Sequence, residues 1–171
     1  GLSWQTVTPD AWFGRLSSGV IVISPNYASD QTVFAGMYDQ GIVKTTDAGL
    51  TWQKINNGIY EAAVELALSP AFVEDSTLYF RSNNSDKNVH KSTDGGQSWT
   101  AVAPSNYGTT SLSISPNYGA DQTLWFTQHG SVVRTQDAGA IWQTFSTSYN
   151  TWVTVSPNYT SDQTLFNASY S

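Results

Sequence analysis

The stretch "KTTDAGLTW" at residues 44–52 decides the fold, because the chain writes it three times. It returns as "KSTDGGQSW" at 91–99 and as "RTQDAGAIW" at 134–142. A second phrase runs ahead of each copy: "SPNYASDQTVF" from Ser24, "SPAFVEDSTLYF" from Ser69 and "SPNYGADQTLWF" from Ser115, with a fourth, "SPNYTSDQTLF", from Ser156. The Ser-Pro copies lie 45, 46 and 41 residues apart, and Asp47, Asp94 and Asp137 are separated by 47 and 43. Two markers in step at one period make a tandem repeat, and a period of about 20–50 residues is the signature of a repeat architecture.

Each unit reads as strands. Before each Ser-Pro lies a short alternating segment: "VIVIS", "ELALS", "SLSIS" and "WVTVS". After the Asp-Gln-Thr or Asp-Ser-Thr come "TVFAGMY", "TLYFRSN", "TLWFTQ" and "TLFNASY"; then "GIVKTT", "NVHKST" and "SVVRTQ"; last "TWQKIN", "SWTAVA" and "IWQTFS". β-Branched and aromatic runs of this length, bounded by Gly, Pro, Asn and Asp, are strand signals, and no helical 3.6-residue pattern with caps persists. Four short strands per unit of ~40–50 residues describe a propeller blade. The expectation is an all-β fold, a β-propeller of about four repeats with four-stranded antiparallel blades and an incomplete terminal blade. Residues 1–171 are expected to form a single domain, with repeats starting near 19, 62, 108 and 149 and with residues 1–7 as the last strand of a blade.

The Asp phrase resembles the Asp-box, or bacterial neuraminidase repeat, with the pattern Ser/Thr-x-Asp-x-Gly-x-Ser/Thr-Trp. Thr45 to Trp52 and Ser92 to Trp99 match it; in the third copy Ile141 stands at the second hydroxyl position, while Thr135, Asp137, Gly139 and Trp142 hold. "GLSW" at 1–4 reads as the tail of a further box. The resemblance implies a propeller such as those of sialidases, xyloglucanases, sortilin-type receptors and photosystem assembly factors. It also implies that the box is the hairpin between a blade's third and fourth strands. The physics agrees: a short Asp side chain accepts N–H bonds across a tight turn, Gly two residues later permits positive φ, and Trp seals the blade. Asp47, Gly49, Trp52, Asp94, Gly96, Trp99, Asp137, Gly139 and Trp142 are therefore expected to be structural. One Asp per box falls short of the six or more oxygens that Ca²⁺ takes, so neither a metal nor a cofactor is expected. Asp30, Asp75, Asp121 and Asp162 are expected to hold the first-to-second strand turns.

In an antiparallel blade the two repeated phrases share one face. The opposite face carries the residues that vary: an aromatic in each blade connection (Trp12, Tyr60, Tyr107, Tyr149) and Asp39, Asp86, Lys87 and His129 in the second-to-third loops. On the first strands the positions one and three before the Ser are apolar throughout, whereas the position four before it is Val20, Glu65, Ser111 or Trp152. Glu65 and Trp152 are expected near a central channel. Trp12, Tyr60, Glu65, Tyr107, His129, Tyr149 and Trp152 form the candidate ligand face, suited to stacking on sugar rings or docking a protein.

Composition bounds the function. Seven Trp, nine Tyr and seven Phe supply a core, and 12% charged residues is not a disordered composition. A net charge of −6 with seven Lys and Arg lacks the basic footprint of nucleic-acid binding, and no apolar run approaches the ~20 residues of a membrane span. Arg15, Arg81 and Arg134 are too few and too scattered for a sialidase's arginine cluster, and no pair of acids has a spacing that marks a glycosidase. No catalysis is expected. The first strand-like segment reads as the last of a blade and the final one as the second of another, which leaves strand edges open to association. The expected function is a non-catalytic structural or binding module, extracellular or at the cell surface, that self-associates into an oligomer, filament or surface layer and has a possible glycan or protein ligand. The alternatives are part of a glycan-active enzyme and a photosystem-assembly-like protein-binding factor.

Overall fold

A computed structural model describes residues 16–37, 41–59, 63–82, 89–103, 109–128, 130–146 and 150–169. The sequence units become four antiparallel sheets. Blade 1 consists of β1 (Leu16–Ile23), β2 (Val33–Met37), β3 (Gly41–Thr45) and β4 (Gln53–Lys54), hydrogen-bonded in that order. Blade 2 is β5 (Ala63–Leu68), β6 (Leu78–Ser82), β7 (Val89–Ser92) and β8 (Thr100–Ala101). Blade 3 is β9 (Thr109–Ile114), β10 (Leu124–Gln128), β11 (Ser131–Thr135) and β12 (Gln143–Ser146). Blade 4 is a two-stranded sheet, β13 (Asn150–Val155) with β14 (Leu165–Ser169). Short fourth strands have a local cause in blade 1: the Ile42 N–H bonds the Asn56 side-chain oxygen at 2.8 Å, so a carboxamide takes over where the backbone ladder stops.

The first strands pack in sequence, β1 on β5, β5 on β9 and β9 on β13. Among the described elements no comparable contact joins β13 to β1, so the blades form an arc. Each junction is an apolar seam to which both blades contribute. The first holds Val20, Phe34 and Ile42 of blade 1 against Leu66, Phe72, Phe80 and Trp99 of blade 2. The second sets Tyr79 and Val89 against Leu112, Tyr118 and Phe126, and the third sets Trp125 and Val132 against Val153 and Tyr159. At Gly36 the blades approach so closely that a Cβ would lie 2.7 Å from the Ala63 carbonyl oxygen.

The Ser-Pro phrase, expected as a turn, contains a single helical turn in every copy: α1 (Tyr27–Asp30), α2 (Phe72–Asp75), α3 (Tyr118–Asp121) and α4 (Tyr159–Asp162). One turn has no 3.6-residue pattern to display, which is why periodicity passes over it. Gln31, Ser76, Gln122 and Gln163 follow in the left-handed region at φ 48–52° and end each helix.

Candidate functional site

The two repeated phrases build one polar scaffold. In the Ser-Pro turns Asp30 accepts from Ser24 Oγ at 2.5 Å and from the Thr32 N–H at 2.8 Å. Asp75, Asp121 and Asp162 repeat these bonds with Ser69 and Thr77, Ser115 and Thr123, and Ser156 and Thr164. In the first Asp turn Thr45 Oγ1 donates to Asp47 at 2.7 Å and accepts from the Gly49 N–H at 2.9 Å. The Thr51 N–H and hydroxyl both donate to Asp47, at 2.8 and 2.5 Å. Ser92, Asp94, Gly96 and Ser98 reproduce the set. The third copy keeps the Ile141 N–H bond to Asp137 at 2.9 Å and, having Ile there, lacks the hydroxyl donor.

These bonds favour ionised carboxylates. The Thr51 hydroxyl, with the Thr51 N–H and Thr45, holds Asp47 down at about 2. Burial pushes Asp94 up, but the Ser98 and Ser92 hydroxyls outweigh it and bring that group to about 2 as well. The Thr135 hydroxyl and Ile141 N–H also lower Asp137. The two phrases are joined within each blade: Ala48, Gly95 and Ala138 donate their N–H groups to the carbonyls of Gln31, Ser76 and Gln122. Both phrases therefore lie on one face.

In the second and third boxes the Trp reaches beyond its own blade. Trp99 Nε1 donates to the Ile55 carbonyl at 2.8 Å, and its N–H bonds the Asn57 carbonyl at 3.1 Å. Trp142 Nε1 repeats the reach to Val102 O at 2.9 Å. Trp52 Nε1 bonds Gly49 O, inside its own turn. At Gly96, with φ +92°, a Cβ would also lie 2.4 Å from Ile55 Cδ1, so glycine serves both the turn and the seam.

Of the candidate ligand-face residues, Trp12, Tyr60, Tyr107, His129 and Tyr149 lie outside the described residues, as do Asp39, Asp86 and Lys87. Glu65 is half-buried in the second seam, with Arg81 Nε 3.2 Å from its carboxylate. Burial raises its pKa, against the Leu112 N–H bond and the Arg81 charge, which lower it. Its repeat counterpart Ser111 does the same work in the third seam, accepting the Val153 N–H at 2.9 Å. In blades 2 and 3, position four before the Ser thus supplies an acceptor to a first-strand N–H of the next blade, whereas Val20 at that position in blade 1 packs in the first apolar seam. Trp152, the same position in blade 4, is 55% exposed.

Sequence reasoning passed over a row of aromatics on the second strands, Phe34, Tyr79, Trp125 and Phe166, and their partners in the Ser-Pro turns. Tyr79 Oη donates to Ala138 O at 3.1 Å, so Tyr118 supplies the proton of the 2.6 Å bond between the two hydroxyls. The signal was available: each aromatic falls at a fixed repeat position. A groove of about 450 Å³ also lies at the rim of the first seam, lined by Lys44, Gln53, Asn57, Gly95 and Gln97 among others.

Four-stranded antiparallel blades, joined seam by seam along an arc, define a β-propeller with about four blades described. Solved structures carry the same arrangement. A GH74 enzyme from Niastella koreensis superposes with a TM-score of 0.67 at 24% identity, over 84% of this chain and 24% of that one. An ancestral GH74 enzyme gives 0.71 at 20% identity, over 96% of this chain and 23% of the other. YCF48 from Cyanidioschyzon merolae gives 0.53 at 16%, over 72% and 35%. The chain thus spans about a quarter of the GH74 enzymes, and at these identities the likeness is one of fold. No protein-family model matches the sequence, and no curated protein does.

Proposed function

We propose that the chain is a non-catalytic Asp-box propeller module, extracellular or at the cell surface, that serves as a structural or binding element and self-associates. The Asp-box assignment is supported by turns in which Asp47, Asp94 and Asp137 accept backbone N–H bonds, and by Trp99 and Trp142, which close seams to the preceding blades. The non-catalytic reading draws on the way the carboxylates are employed: seven Asp hold turns and Glu65 pairs with Arg81. The extracellular part of the reading draws on a composition rich in Ser, Thr, Asn and Gln with few charges.

The observation that carries the assembly reading is blade 4. It bears Trp152 and Phe166, which are 55% and 58% exposed. Exposed apolar surface favours association. The test is the mass of the 171-residue chain in solution, alongside negative-stain electron microscopy. Discrete oligomers or filaments are expected; a monomer at every concentration would overturn the reading.

A second reading, part of a glycan-active enzyme, draws on the likeness to GH74 propellers. It predicts hydrolysis of xyloglucan or another glycan by the chain, lost in Glu65→Gln.

A further inference from the structure

The groove at the rim of the first seam has the outer strands of blade 1 on one side and the second Asp turn on the other. Both of its walls belong to blades with all four strands described. Lys44 and Gln53 are cross-strand partners, so their side chains share the face of the sheet that meets blade 2. Lys44 Nζ lies 3.4 Å from the Gly95 carbonyl oxygen of that blade and 5.3 Å from the centre of the Phe34 ring. Asn57 is tied to the opposite wall through its carbonyl, which accepts the Trp99 N–H at 3.1 Å. Gln53, Asn57 and Gln97 are exposed.

The repeat supplies an internal comparison. The lysine recurs: Lys91 holds the same position in blade 2 and lies 5.9 Å from the centre of the Tyr79 ring. The groups around it do not recur. In the second seam Thr100 stands for Gln53, Pro104 for Asn57 and Ala140 for Gln97. Three carboxamides therefore line the groove beside the first lysine, and none of them is needed to close a seam, since the second seam closes without them.

We propose that this groove binds a small polyhydroxylated carboxylate, the group a hexuronate presents, with Lys44 facing the carboxylate and Gln53, Asn57 and Gln97 bonding the hydroxyls. This rests on the binding part of the reading above and names its ligand class. A carboxamide both donates and accepts, which suits a hydroxyl that does the same, and an ammonium suits an anion. Among the described residues no carboxylate lies within 4 Å of Lys44 Nζ. Burial lowers the Lys44 pKa against the pull of Asp30, and a bound carboxylate offsets that burial. The acids of the flanking turns are engaged where they stand, Asp30 by Ser24 and Thr32 and Asp94 by Ser92 and Ser98. A volume of about 450 Å³ is that of a small-molecule site. Among the described residues no aromatic lines it, which favours a sugar acid over a peptide, whose docking takes apolar anchors.

Titration of the ¹⁵N-labelled chain, followed by two-dimensional NMR, tests this with glucuronate, glucose and propionate as probes. Glucuronate should shift the backbone and side-chain amide signals of Gln53, Asn57 and Gln97 saturably. Glucose lacks the charge and propionate lacks the hydroxyls, so each should bind about tenfold more weakly or worse. The double variant Gln53→Thr with Gln97→Ala takes the residues that the second seam already carries, and the rest of its spectrum verifies the fold. It should bind glucuronate about tenfold more weakly. No saturable shift with glucuronate overturns the site and leaves self-association, which is judged by mass, untouched. Glucose or propionate binding as tightly as glucuronate, or a double variant that binds undiminished, overturns the proposal as well. The methyl glycoside of glucuronate separates two sources. If it binds as tightly as the free acid the site takes a unit within a polysaccharide, and if it is excluded the site takes the free sugar acid.

Discussion

At the scale of the residue, the three Asp turns form a natural substitution series. Thr51 and Ser98 each give their Asp a hydroxyl bond of 2.5 Å in addition to the N–H, whereas Ile141 gives the N–H alone and leaves its side chain 68% exposed. Ile141→Thr should restore the missing donor and raise the melting temperature by about 1–3 °C, the shift expected of a small single-bond gain in a domain of this size. It should also carry the Asp137 carboxyl further down, toward the value of about 2 held by Asp47. A carboxyl lowered on folding stabilises the fold above its unfolded pKa and loses that contribution as pH falls through the folded value. The gain should therefore be full above about pH 4 and fade toward pH 2. Paired thermal melts at neutral and acid pH decide it: an equal shift at both would sever the gain from the carboxylate.

At the scale of the element, the unit of stability is the seam. Tyr79 shows how tightly one is wired: it is fully buried, it accepts from Tyr118 and it donates to a carbonyl in blade 3. Burial pushes its pKa well up, so it remains a phenol. Tyr79→Phe leaves the Tyr118 hydroxyl without its acceptor and the Ala138 carbonyl without this donor, at a cost of about 1–3 kcal/mol. Tyr118→Phe removes only a donor and should cost less. The double variant should cost less than the two single costs combined, because no hydroxyl is then stranded. Chemical denaturation of the four proteins measures the cycle. Strict additivity would mean that the hydroxyls act independently in spite of their 2.6 Å contact. The strands themselves were legible as β-branched and aromatic runs. The pairing of Tyr79 with Tyr118 was not, since nothing local says which face of a strand meets which neighbour.

At the scale of the whole molecule, blades contact their neighbours in series, so stability is close to a sum of blade and seam contributions. Among the described elements blade 4 has one seam and two strands, while blade 3 is seamed on both sides. In a dilute, monomeric sample the amides of Leu165–Ser169 should exchange hydrogen faster than those of Leu124–Gln128, by about tenfold or more. Hydrogen exchange read by mass spectrometry makes the comparison. Equal protection in the two strands would mean that the arc opens as a single cooperative unit.

The sequence by itself determined the repeat, the strand order within a blade and the residues that close each turn, because those features are local. Asp47 bonds residues within four positions of itself, and Ser24 and Asp30 meet across one turn. Only the tertiary structure decided what lies between blades. It set Glu65 against Arg81 and the Leu112 N–H in a seam and sent the Trp99 indole across to Ile55. Those contacts depend on which sheet faces which. A strand's alternation tells that it has two faces; the packing of whole blades settles what each face meets.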